Sequence, residues 1–112
     1  VVYKLTKAGK QTVLYAFSGG ADGKTPDCTL VQNARGVVYG TTIDGGANGL
    51  GTVFAVTPNG TQTVLYSFAG GAGDGAYPQA GLLMDAQGNL YGTTNNGGPK
   101  GAGTVYKLTV SK

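Results

Sequence analysis

The sequence predicts an all-β chain made of β-propeller-type, four-stranded antiparallel blades, about two blades in all. Three observations carry this expectation. Glycine accounts for 22 of 112 residues, set among many Tyr, Val, Leu and Thr, which is a strand-and-turn composition. No segment shows the 3.6-residue hydrophobic period of a helix. A unit of roughly fifty residues recurs along the chain, the period of repeat architectures whose units are four short strands.

Taken in order, the chain opens on Val2-Tyr3-Lys4-Leu5-Thr6, a strand that returns as Val53-Phe54-Ala55-Val56-Thr57 and as Val105-Tyr106-Lys107-Leu108-Thr109. Its partner Gln11-Thr12-Val13-Leu14-Tyr15-Ala16-Phe17 returns as Gln62-Thr63-Val64-Leu65-Tyr66-Ser67-Phe68. We label these repeat positions c and d. Position a spans Thr29 to Asn33 and again Gly81 to Asp85. Position b spans Val37 to Thr42 and Leu90 to Thr94, and both copies contain Tyr-Gly-Thr-Thr. Turn chemistry separates them: Ala34-Arg35-Gly36 and Gln87-Gly88-Asn89 close a–b hairpins, and Pro58-Asn59-Gly60 closes a c–d hairpin. The order is therefore c-d in residues 1–17, a full a-b-c-d blade in 29–68 and a-b-c in 80–109, all within one repeat segment spanning 1–112. Phe17 and Phe68 lie 51 positions apart and Tyr39 and Tyr91 lie 52 apart, so the added residue falls in the glycine-rich d–a loop. A nine-stranded sandwich and a β-solenoid compete with this reading. Near-identical four-strand units joined by hairpins favour the blade.

Charge and residue types narrow the function. The net charge of +3 comes from dispersed lysines and Arg35, with Lys7 and Lys10 in a turn, so the clustered basic footprint of a nucleic-acid binder is missing. The single cysteine, Cys28, excludes an intramolecular disulfide and a cysteine zinc site, and it reads as a reduced, poorly accessible core residue. No apolar stretch reaches membrane-spanning length. The start at Val1-Val2, without methionine, reads as a processed product or an excerpt. The chain has no histidine and no glutamate. A hydrolase would need a nucleophile–base system or a carboxylate pair, and Lys24 or Tyr77 could do acid–base work only if strongly perturbed. The expectation is a non-catalytic protein with no cofactor and no metal.

Up-and-down strand order assigns the loops to two faces. The a–b and c–d turns share one face and are tight. The b–c and d–a loops share the other and are long: Ser18 to Asp27, Ile43 to Gly51, Ala69 to Gln79 and Asn95 to Gly103. Asp22, Asp27, Asp44 and Asp74 fall there, and loops on a rigid scaffold are where binding sites are built. Asp44, Asn48, Tyr77, Asn95 and Asn96 are the candidate ligand-binding residues: amide and carboxylate groups suit a polyol, and a tyrosine can stack on a sugar ring. Calcium is a weaker reading, because Asp22-Gly23 and Asp74-Gly75 offer one carboxylate each. Tyr15, Tyr39, Tyr66 and Tyr91 recur at equivalent positions and read as inter-blade packing residues with bonded hydroxyls. Thr41-Thr42 and Thr93-Thr94 read as sheet and loop anchors. Leu30, Val31, Leu82 and Leu83 are expected in the core, with Lys4 and Lys107 in solvent.

The run GGAGDGAYPQAGLLMDAQGNLYGTTNNGG followed by GTVYKLT resembles the GloVer tandem repeat of secreted, surface-anchored bacterial proteins. Residues 52–98 follow its pattern almost throughout. The earlier copy departs from it, with Cys28-Thr29 in place of Ala80-Gly81 and Asn33-Ala34-Arg35-Gly36-Val37 in place of the turn that begins at Asp85. The strand order and the D-x-x-G-N-x-Y turn are also similar to NHL-type propeller blades. The resemblance implies an extracellular, cell-surface repeat protein with no established catalytic residues. Two blades cannot close a ring, so self-association into a ring or a filament-like stack is expected. A glycan is the possible second partner.

Overall fold

Strand formation follows the β-branched and aromatic runs, and each sheet assembles from neighbours in sequence. The computed structural model describes residues 1–26, 30–79 and 81–110. Cys28, together with Asp27, Thr29 and Ala80, lies outside the described residues. Eleven strands run in order: β1 (Val2–Leu5), β2 (Gln11–Tyr15), β3 (Val31–Gln32), β4 (Val38–Thr42), β5 (Thr52–Val56), β6 (Gln62–Ser67), β7 (Gly75–Ala76), β8 (Leu83–Met84), β9 (Leu90–Thr94), β10 (Asn96–Gly97) and β11 (Thr104–Leu108). No helix occurs among the described residues, so none there is long and apolar enough to cross a membrane.

Every strand pair is antiparallel. β1 pairs with β2, β3-β4-β5-β6 form a four-stranded sheet in chain order, and β8-β9-β11 form a three-stranded sheet. These are the expected c-d, a-b-c-d and a-b-c groups. The a strands are shorter than expected, two residues each, because the turn after them begins early. Asn33 and Asp85 each accept from amides two and four residues ahead, drawing the chain into the turn. Residue pairing repeats as well. A bulge shifts the register between Val2 and Tyr3 in the first sheet and between Val53 and Phe54 in the second. The β7–β10 pair, inside two long loops, was not expected from sequence.

The core lies between sheets. Val2 of the first sheet packs with Phe54 and Val56 of the second, supported by Leu14, Tyr15, Phe17 and Val38. On its other face the second sheet supplies Tyr39, Val53 and Ala55, which pack with Leu82 and Leu90 of the third unit and with Phe68. Strand alternation explains how β5 serves both contacts: Val53 and Ala55 point one way, Phe54 and Val56 the other. All five residues from Thr52 to Val56 are buried. Burying one such side chain contributes about 1.5–3 kcal/mol.

Aromatic rings mark both junctions in the same way. Phe17 meets Phe54 edge-on at 5.0 Å, and Phe68 meets Tyr106 edge-on at 5.2 Å. In each case the phenylalanine that ends position d packs on position c of the next unit.

The expected core set divides. Leu82 is buried and Val31 packs against the core, while Lys4 and Lys107 are exposed. Leu83 is 73% exposed and Leu30 36% exposed, contrary to the expectation. Leu83 lies opposite Tyr91 on the outward face of the third sheet, where no described residue covers it. An unbroken apolar run such as Leu82-Leu83-Met84 does not reveal that only one of its two faces is covered.

Candidate functional site

The long-loop face is built on a threonine pair that recurs in the second and third repeats. Thr42 at the end of β4 and Thr52 at the start of β5 are both buried, with hydroxyl oxygens 2.8 Å apart. Thr42 Oγ1 spends its one proton on the Asp44 carbonyl at 2.9 Å, so the hydroxyl of Thr52 donates to Thr42. The Thr52 amide also donates to Thr42 Oγ1, at 3.2 Å. Thr94 and the half-buried Thr104 reproduce the same hydrogen bonds: 2.7 Å between hydroxyls, 2.9 Å to the Asn96 carbonyl and 3.1 Å from the Thr104 amide. The b–c loop is thereby tied to its own stem.

An Asp-Gly pair from the d–a loop closes over these threonines. A Cβ on Gly23 would lie 2.7 Å from Thr42 Oγ1, and one on Gly75 would lie 2.4 Å from Thr94 Oγ1, so only glycine fits. The aspartate beside each glycine turns back to position d. Tyr15 Oη donates to Asp22 Oδ2 at 2.6 Å, and Tyr66 Oη donates to Asp74 Oδ2 at 2.6 Å. Backbone amides complete each carboxylate: Ser18 for Asp22, Ala69 and Gly75 for Asp74. The Asp-Gly pairs raised as a calcium feature are spent on the protein's own donors.

Electrostatics agree with this geometry. The Tyr15 hydroxyl, with the amide and hydroxyl of Ser18, holds the Asp22 carboxyl far below the usual carboxylate range. Burial is the largest influence on Asp74 and pushes it up, but Tyr66 and the two amides together outweigh burial and leave it lowered. Both tyrosines are raised, chiefly because their protons are held by these carboxylates. On the other face the Asn89 side chain, with amides of the turn and the Tyr91 hydroxyl, lowers Asp85 to about 2. There Tyr91 donates to Asp85 at 3.0 Å, and Tyr39 accepts from Asn33 at 3.2 Å. All four recurring tyrosines thus have bonded hydroxyls.

The five candidate ligand residues do not converge on one point. Tyr77, Asn95 and Asn96 come together: the Asn95 amide donates to the Tyr77 carbonyl at 3.0 Å, and Asn96 pairs with Ala76 across β10–β7. Asp44 occupies the corresponding place one repeat earlier. It pairs with Lys24 through the backbone, its carboxylate lies 3.5 Å from the Thr25 hydroxyl, and Ile43 donates to the Thr25 carbonyl. Asn48 is directed to the second repeat's own stem, donating to the Phe68 carbonyl at 3.2 Å. Thr25 and Tyr77, each followed by proline, hold φ of 59° and 57°, the left-handed region that side chains disfavour. The Tyr77 amide donates to the Leu50 carbonyl at 2.8 Å, binding one repeat's d–a loop to the b–c loop of the repeat before. Asn95 and Asn96 are exposed, and Tyr77 is half-buried.

An open groove lies on the other face. Gln32, Asn33, Arg35 and Tyr39 of one a–b turn face Met84, Asp85 and Gly88 of the next across an open space of about 530 Å³. Sequence reasoning passed over this face because each turn is tight by itself. The groove comes from the spacing between two turns, which no local pattern encodes. Among the described residues, no group of three or more His, Cys, Asp or Glu could hold a metal ion.

A family model described as the Gloeobacter/Verrucomicrobia repeat matches residues 1–112. No curated protein and no solved structure matches the chain.

Proposed function

The chain belongs to the Gloeobacter/Verrucomicrobia repeat family, and on that footing we propose that it is a non-catalytic, extracellular structural and assembly repeat of β-propeller type. One observation carries the reading. The complete repeat forms a single sheet in the order β3-β4-β5-β6, and it packs one face on each neighbouring repeat in the same sense. Hairpin-linked four-stranded sheets stacked face to face are the building principle of propellers. The extracellular placement follows the resemblance to secreted, surface-anchored repeats.

The absence of catalysis is argued from the residues. The chain has no histidine or glutamate, and Asp22, Asp74 and Asp85 are each engaged by a tyrosine hydroxyl and by backbone amides. Lys24 and Tyr77 serve in backbone pairing between loops. The recurring polar residues of the long-loop face are thereby accounted for as closures that repeat with the fold.

A lectin-like reading rests on a different observation, the exposed side chains of Asn95 and Asn96 beside Tyr77. A glycan array on the purified chain separates the two. The scaffold reading expects a blank array. Specific binding that disappears in Asn95→Ala or Asp44→Ala would transfer the function to the lectin reading.

A further inference from the structure

The two a–b turns that face each other across the groove are unlike, and the residue that opens each turn makes them so. Position 85 is aspartate, and its counterpart at position 33 is asparagine. Asp85 is saturated. Its Oδ1 accepts from the amides of Gln87 at 3.0 Å and Asn89 at 2.9 Å, and its Oδ2 accepts from the Asn89 side chain at 2.9 Å and the Tyr91 hydroxyl at 3.0 Å. Asn33 builds the same turn, its Oδ1 accepting from the amides of Arg35 at 2.9 Å and Val37 at 3.0 Å. Those two bonds fix which way the Asn33 amide points, so Nδ2 meets Tyr39 and donates to its Oη at 3.2 Å. Tyr39 therefore keeps the proton that Tyr91 gives to Asp85, and no described residue takes it. Arg35 stands where the third repeat has Gln87, and its guanidinium has no acceptor among the described residues.

We propose that the groove between these turns is a binding site for a small organic monoanion, a carboxylate joined to an apolar body. Arg35 presents a planar fork of donors that matches a carboxylate, and the Tyr39 hydroxyl supplies a neutral donor on the same wall. Val37 and Met84 line the same space, half-buried and packed against the core, and give an apolar body a surface to cover.

Asp85 limits what can enter. Arg35 and Asp85 are the charged residues lining the groove, one of each sign. The Asn89 side chain, the turn amides and the Tyr91 hydroxyl hold Asp85 at about 2, so it is ionised at neutral pH. A dianion or a polyanion is repelled by that charge. A neutral polyol fares no better, because the side-chain oxygens of Asn33 and Asp85 are already spent as acceptors. Both walls are complete turns at the junction of the second and third repeats. The site lies on the face opposite Asn95 and Asn96, and it rests on neither the scaffold reading nor the lectin reading.

Amide NMR titration of the full chain with hexanoate tests this, with hexanol and inorganic phosphate as comparison probes. Hexanoate should give saturable shifts at the amides of Arg35, Val37 and Gly88. Hexanol lacks the charge and phosphate lacks the apolar body, so each should bind about tenfold more weakly. Two variants exchange the turns without introducing a new one. Asn33→Asp installs the residue of the third repeat, captures the Tyr39 proton and sets a carboxylate beside Arg35; it should weaken hexanoate by about tenfold or more. Asp85→Asn installs the residue of the second repeat and removes the opposing charge; it should tighten hexanoate by about twofold. Each turn already exists in the molecule, so both variants should keep the wild-type circular dichroism, and if one fails to fold the other decides. No saturable shift with hexanoate, hexanol binding as tightly, phosphate binding more tightly, or variants that bind hexanoate as the wild type does would each overturn the proposal.

Discussion

The Tyr66 hydroxyl donates to the Asp74 carboxylate at 2.6 Å, and the relationship is repeated at the same distance between Tyr15 and Asp22. A bond to a charged acceptor is stronger than a neutral one, but Tyr66 is 40% exposed and the pair is partly screened. Tyr66→Phe should therefore cost about 1 kcal/mol. Asp74→Ala should cost more, because it also strips the acceptor from the Ala69 and Gly75 amides. Chemical denaturation of the two single variants and the double variant checks this, with a double-variant cost below the sum of the singles.

Stability should fall at both ends of the pH range. Asp22, Asp74 and Asp85 hold their protons less tightly when folded than the ordinary carboxylate value of about 4. Their contribution is present above that pH and is lost as pH falls through the lowered values, about 2 for Asp85. Tyr15, Tyr66 and Tyr91 are raised above the ordinary value of about 10, so their contribution is present below it and is lost as pH rises through the raised values. Thermal melts across pH should show a plateau bounded by these limbs. Asp85→Asn should make the acid limb shallower.

Gly75→Ala and Gly73→Ala should behave as opposites despite being two residues apart. A Cβ at Gly75 would lie 2.4 Å from Thr94 Oγ1 and 2.7 Å from Thr104 Oγ1, while one at Gly73 meets nothing within 4 Å. Overpacking against this partly buried pair costs about 1–3 kcal/mol, and an exposed change with no contact stays within about 0.5 kcal/mol. Denaturation midpoints of the two variants give the comparison directly.

Thr42→Val should destabilise more than Thr52→Val. Thr42 Oγ1 accepts from both the hydroxyl and the amide of Thr52 and donates to the Asp44 carbonyl. Its loss leaves buried groups unsatisfied, at about 1–3 kcal/mol each. Thr52→Val removes a single donor and leaves the other two bonds intact. Equal losses in the two variants would contradict the direction assigned to the hydroxyl pair.

Much of the fold was legible because its code is local. The repeated Val-aromatic and Gln-Thr-Val-Leu-Tyr strands, with turns at Asn59-Gly60 and Gly88-Asn89, defined which strands pair, and the sheets follow that order. Of the recurring tyrosines expected to pack between blades, Tyr66 is 40% exposed and Tyr91 joins neither core cluster; Tyr15 and Tyr39 do pack there, and that role was legible because position repeats with structure. Their partners were not. Tyr66 finds Asp74 only because a glycine-rich loop folds back on its own strand, and the sequence offers no period linking them. The candidate set Asp44, Asn48, Tyr77, Asn95 and Asn96 was chosen by residue type and loop, and those criteria cannot separate Asn48, committed to a backbone carbonyl, from the exposed Asn96.

By itself the sequence determined the all-β class, the repeat, the strand order within each sheet and the division of loops between two faces. All of these depend on near neighbours: alternation, turn residues and hairpin length. Tertiary structure alone decided which face of each sheet is covered. Val2, Val53 and Val105 share one motif, yet the first two are buried and the third is open. The reason is physical: burial is a property of what lies across the interface, and three equivalent strands in a stack do not have equivalent neighbours.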